Sequence, residues 1–112
     1  MNDVTPAPED RLGVTIESGP PVVFVLDGEL DPHTSPMLQS KIDETLADDA
    51  SSAVLDVEKV GFADSAGLRV IADTHRRLND AGGALTVRHP STSLEKLLAV
   101  TGLADHVTVE SR

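Results

Sequence analysis

The sequence predicts an α/β fold: a single-domain sandwich of a mixed, mostly parallel β-sheet packed with helices, in the order β-β-α-β-α-β-α-β. Three observations predict it. Apolar runs of β type alternate along the chain with apolar stripes at helical spacing. Short clusters of Gly, Pro, Ser and Asp separate these runs at the intervals that βαβ units use. At 112 residues the chain can enclose one hydrophobic core but not two.

Residues 1–10, "MNDVTPAPED", are polar, proline-containing and aperiodic, and read as a flexible N-terminal tail ahead of a folded domain at 11–112. Leu12, Val14 and Ile16 alternate with polar residues, the mark of a half-buried strand. "SGPP" is a turn, and "VVFVL" (22–26) reads as a more fully buried strand, so the first two strands form an antiparallel hairpin. "DGELDPHTSP" (27–36) reads as a loop ending in a helix start, with Ser35 as the cap and Pro36 at the first helical position. Leu38, Ile42 and Leu46 give that helix one apolar face.

"AVLDV" (53–57) is the next strand, and Leu68, Ile71, His75 and Leu78 trace a second helix ended by Gly82-Gly83. "ALTV" (84–87) is a further strand. Leu94, Leu97 and Leu98 mark a short helix stopped near Gly102, and Val107 and Val109 alternate in a last strand. Helical crossovers between the later strands imply parallel pairing, and the opening hairpin makes the sheet mixed.

Charge and composition exclude several function classes. With 19 acidic and 9 basic residues the net charge is −10, a surface repelled by nucleic-acid phosphates and anionic lipid, so neither is an expected direct partner. The chain has no Trp or Tyr on which bases could stack, and no Cys for a disulfide, a thiol nucleophile or a thiolate metal site. "VVFVL" is far shorter than the roughly 20 apolar residues of a membrane helix. No signal segment opens the chain, so a cytoplasmic protein is expected.

The stretch "GFADSAGLRV" (61–70) sets Asp64 and Ser65 between a β-type run and a helical one. Three readings compete. Ser65 could cap the helix by accepting from an orphan N–H. It could be the nucleophile of a strand–turn–helix elbow, since "ADSAG" is one residue away from G-x-S-x-G. Or it could accept a phosphate, which the free N–H groups and dipole of a helix start favour. The hydrolase reading needs a separate acid and histidine, and neither His89 nor His106 is linked to Ser65 by spacing. His33, His75, His89 and His106 show no close pairing of the kind a metal needs. Asp43, Glu44, Asp48 and Asp49 read as a solvated helix face that could also meet a basic partner. "GGAL" lacks the glycines and lysine of a phosphate loop.

Taken together, "GELDPHTSP", "GFADSAGLRV", "AGGALTV" and "TGLADHV" resemble the STAS domain family, and within it the anti-sigma factor antagonists of bacteria. The resemblance covers residues 12 to 110, with the motifs in family order and spacing. It implies that Ser65 is the phosphoacceptor, and that Asp31 and Asp64 are the family's two aspartates. Asp31, Asp64, Ser65, Ala66 and Gly67 then form the partner-binding surface. Ala66 departs from the family, many members of which carry a second Ser or Thr there. The implied function is a switch without catalysis or cofactor of its own. Unphosphorylated, it would bind an anti-sigma factor serine kinase of ATPase fold and release a sigma factor; a PP2C-like phosphatase would reset it, and the chain would be a monomer or weak dimer. The alternative is a STAS scaffold or adaptor, either in a stress-signalling assembly or as the soluble companion of a lipid-transporting ABC ATPase.

Overall fold

The computed structural model describes residues 8–111, so the part of the expected tail at 1–7 lies outside the described residues. Residues 8–10, expected to belong to that tail, instead enter a single helical turn, α1 (Pro8–Arg11). The turn is held by its last residue: the Arg11 guanidinium binds both Glu29 and Asp31.

Strand β1 (Leu12–Glu17) pairs antiparallel with β2 (Val22–Leu30), from Leu12 opposite Gly28 to Glu17 opposite Val23. The hairpin is as expected, but β2 is longer. "DGEL", expected to be loop, continues the strand through shifts of register on either side of Asp27–Gly28. Glycine makes this possible. Gly28 has φ +138, and a Cβ there would stand 2.0 Å from the Arg11 carbonyl oxygen. The close approach lets β2 bulge and still pair at its far end.

From β2 onward every pairing is parallel: β2 with β3 (Ser52–Ala63), β3 with β4 (Ala84–Arg88), and β4 with β5 (Thr108–Glu110). The spatial order is β1-β2-β3-β4-β5. The crossovers between these successive neighbours run through α2 (Ser35–Thr45), α3 (Ser65–Asp80) and α4 (Thr92–Val100), whose buried residues share one core with a single face of the sheet.

The core lies between that face and the helices. Phe24 and Leu26 of β2, Ala53, Leu55 and Val57 of β3, and Leu85 and Val87 of β4 enter it at period two. Leu38 and Ile42 of α2, Val70, Ile71 and Leu78 of α3, and Leu94 and Leu98 of α4 meet them. The other sheet face is more open, and Val23 and Val25, which alternate with Phe24 onto it, stay only half-buried. "VVFVL" is therefore buried on one face rather than throughout. On α3 the fully buried set is Gly67, Val70, Ile71, Thr74 and Leu78, while His75 is half-buried. Arg77 ties α3 to the end of α2 by donating to the Leu46 carbonyl at 2.8 Å and pairing with Asp43 at 3.2 Å. Among the described residues no helix is long and apolar enough to cross a membrane.

Candidate functional site

Central strand β3 runs six residues beyond "AVLDV" to Ala63 and delivers Asp64 and Ser65 to the start of α3. The cap differs from expectation by one position. Asp64, in extended conformation, is the N-cap residue, and its Oδ1 accepts from the Ala66 N–H at 2.8 Å. Its carboxylate takes the role expected of the serine. Ser65 is the first helical residue and exposed, and its hydroxyl has no hydrogen-bond partner among the described residues.

Two contacts bind this corner to the neighbouring strand end. The Asp64 N–H donates to the Leu30 carbonyl at 3.1 Å. Gly67 packs against the same leucine: a Cβ at Gly67 would lie 2.9 Å from the Leu30 Cβ. Glycine thus sets how closely α3 approaches the end of β2.

The loop from β2 to α2 is built around Asp31, which is 5% exposed. Its Oδ1 accepts from the N–H groups of His33 (2.8 Å) and Thr34 (3.0 Å), and its Oδ2 accepts from Arg11 Nη2. The Thr34 hydroxyl accepts from the Asp31 N–H at 3.0 Å and donates to the Glu29 carbonyl at 2.7 Å. Burial alone would push the Asp31 carboxyl up, but the Thr34 and His33 N–H groups and the Arg11 charge outweigh it and hold it below the usual carboxylate range. Glu29, the leading cause, and Asp31 together push the Arg11 guanidinium up. Ser35 is not the cap of α2. Thr34 occupies that position, while Ser35 is inside the helix and buried, its hydroxyl without a partner among the described residues.

Hollows flank the Asp64–Gly67 turn. A groove of about 300 Å³ between α2 and α3 is lined by Pro32, Ser35, Pro36 and Gln39 on one side and Ala66, Arg69, Val70 and Asp73 on the other. A second, of about 210 Å³, lies between the end of β3 and the start of α4, where Phe62 is 52% exposed.

The structure brings Asp64, Ser65, Ala66 and Gly67 together as one turn, with Asp31 next to the Leu30 that the turn grips. Asp31 and Gly67 are buried and shape it; Ser65 is presented by it. Arg11, Thr34 and Arg69 were not singled out from sequence. Arg11 sits at the edge of an apparent tail, and Thr34 lies in a loop where Ser35 beside a proline gave the stronger capping signal.

No histidine or acid reaches the Ser65 hydroxyl among the described residues, so no triad is assembled there. The histidines are less scattered than expected: the His75 and His106 rings lie 5.7 Å apart. Asp56, Glu58 and His89 offer ligand atoms within 4.8 Å of one another. Arg88 already stands 4.0 Å from Asp56 there, and the cluster shares no residue with the Ser65 turn.

The comparisons agree with this architecture. The STAS domain family matches residues 13–112. The anti-sigma F factor antagonist of Paenibacillus polymyxa is 35% identical over 83 residues, 73% of this chain and 71% of that protein. The anti-sigma-B factor antagonist of Bacillus subtilis (strain 168) is 29% identical over 85 residues, 76% of this chain and 77% of that one. Among solved structures, an anti-sigma factor antagonist from Mycobacterium paratuberculosis superposes with a TM-score of 0.80 at 26% identity, covering 92% of this chain and 88% of that chain.

Proposed function

The chain belongs to the STAS domain family, and from that membership we propose that it is an anti-sigma factor antagonist switched by phosphorylation of Ser65. In its unphosphorylated form it binds an anti-sigma factor in the cytoplasm and so frees a sigma factor. That partner is a serine kinase of ATPase fold, which transfers the γ-phosphoryl group of Mg-ATP to Ser65 Oγ and releases ADP. A PP2C-like phosphatase hydrolyses the ester and restores the hydroxyl. The chain itself supplies no catalysis.

One observation carries the reading. Ser65 is exposed at the first position of α3 with its hydroxyl unused, because Asp64 does the capping. A kinase can take this hydroxyl without dismantling the helix start, and the free N–H groups there suit the phosphate that results. Partner contact falls to the exposed Ser65 and the half-buried Asp64 and Ala66 beside it, while Asp31 and Gly67 contribute by holding the turn in place. Phosphorylation adds about −1.5 to −2 charges beside Asp64. Desolvating that pair in an interface is far less favourable than desolvating a neutral hydroxyl. Ala66 leaves Ser65 as the sole hydroxyl of the turn, so a second phosphate cannot be placed there.

The test is a pull-down with the unphosphorylated chain, followed by incubation of the captured kinase with ATP and mass spectrometry. Phosphate should be found on Ser65. Its appearance chiefly on Ser91, Thr92 or Ser93, at the start of α4, would overturn the assignment.

A further inference from the structure

We propose that Arg69 is the internal counter-cation of a phosphate on Ser65, the positioning residue that fixes where the phosphate lies. The inference rests on Ser65 as acceptor but concerns the phosphorylated state itself.

Ser65 and Arg69 are the i and i+4 residues of α3, on one face with Cβ atoms roughly 6 Å apart. An anion placed N-terminal to a cation at this spacing is the favourable order, because it also agrees with the helix dipole. Helical side chains lean toward the N-terminus, so Arg69 extends over the turn that Ser65 opens. Arg69 is also available. Its side chain is 84% exposed, and its ion pair with Asp73 is long, at 3.8 Å. Asp73 meanwhile holds Arg76 at 3.2 Å, so withdrawing Arg69 leaves no carboxylate stranded. No other Lys or Arg occurs between Val60 and Thr74, and Arg11 is already engaged by Glu29 and Asp31. The remaining charged neighbour, Asp64, keeps its bond to the Ala66 N–H and repels the phosphate toward Arg69.

Arg69 and Asp73 line the α3 side of the groove between α2 and α3. Phosphorylation therefore does two things: it adds negative charge at Ser65 and draws a cation away from the groove wall. A partner carboxylate seated against Arg69 would lose its counter-charge in the same step.

The test uses phosphoserine installed at position 65 by genetic code expansion, so that no kinase is needed. Phosphorus NMR tracks the second ionisation of the phosphate in the otherwise wild-type chain and in Arg69→Gln, Arg69→Lys and Arg76→Gln variants. Arg69→Gln should raise the apparent second pKa by about 0.3, the size expected of one exposed i,i+4 pair. Arg69→Lys should keep most of the wild-type value, and Arg76→Gln should leave it unchanged. An Arg69→Gln value equal to wild type overturns the proposal, as does an equal shift from Arg76→Gln, which would show only a general loss of charge. Failure of a kinase to modify Ser65 is a separate result that refutes the acceptor assignment and leaves this titration decisive for Arg69.

Discussion

With the cap supplied by the Asp64 carboxylate, the Ser65 hydroxyl is free of structural duty, and substitutions at the two neighbours should separate. Ser65→Ala removes an exposed group that bonds nothing among the described residues, so unfolding free energy should stay within about 0.5 kcal/mol of wild type. Asp64→Ala leaves the Ala66 N–H without its acceptor and should cost about 1 kcal/mol. Urea denaturation monitored by circular dichroism measures both. Equal losses for the two variants would show that the serine shares the capping. The distinction matters for reading the switch: a Ser65→Ala chain that no longer responds to its kinase would have lost the acceptor, not the fold. Asp31 is structural in a different sense. All its oxygen contacts point inward, to Arg11, His33 and Thr34, so it acts on the turn through the loop that ends β2.

At the scale of elements, the contact between α3 and β2 is set by Gly67 against Leu30. Gly67→Ala gains helix propensity, about 1 kcal/mol in favour. Against that, the new methyl would stand 2.9 Å from the Leu30 Cβ, an atom attached directly to the backbone and unable to rotate away. Overpacking of this kind costs about 1–3 kcal/mol, so the variant should be destabilised on balance, with a lower thermal midpoint by calorimetry. An unchanged or raised midpoint would mean that α3 can move off the strand freely. This contact explains what the sequence could and could not disclose. The element order, the opening hairpin and the parallel run were legible because period-two and helical spacings reflect burial, and Phe24, Leu55, Ile42 and Leu78 are all buried. The extent of β2 was not. "DGEL" carries turn residues, and only the backbone approach of Arg11 to Gly28 shows that the glycine serves a bulge within the strand. Both cap assignments missed by one residue for a related reason. Two candidates adjoin at each start, Thr34 with Ser35 and Asp64 with Ser65, and composition does not say after which of them the helix begins; of the two N-cap residues only Asp64 turns its side chain back to a helix N–H. The DSAG turn itself stood out from sequence, while Arg11 and Arg69 did not, because a lone arginine gives no signal until the fold places an acid or an acceptor beside it.

The whole molecule carries a net charge of −10, and that total decides what kind of switch a single phosphate can be. A phosphate of about −1.5 to −2 is a small increment on such a field, so it can hardly change the long-range attraction or repulsion that governs encounter. Its influence must be felt at short range, where Ser65 and Asp64 would have to be desolvated against the partner. Salt separates the two regimes. Raising NaCl from about 0.1 to about 0.5 M shrinks the Debye length from about 10 Å to about 4 Å, which screens the field of the exposed acids while contacts in the docked turn persist. The exposed Asp48 and Asp49 in the turn that follows α2 belong to that screened field. Binding of the unphosphorylated and phosphorylated chains to the anti-sigma factor should therefore change in parallel as salt rises, with association rates changing most. The ratio of their dissociation constants should hold to within about threefold, since both forms share the same long-range charge to a close approximation. Titration calorimetry for the tight form, and competition against it for the weak one, would measure that ratio at each salt concentration. If the ratio collapsed toward one at 0.5 M, the phosphate would be acting through the overall field, and a switch confined to the turn at Ser65 would be wrong.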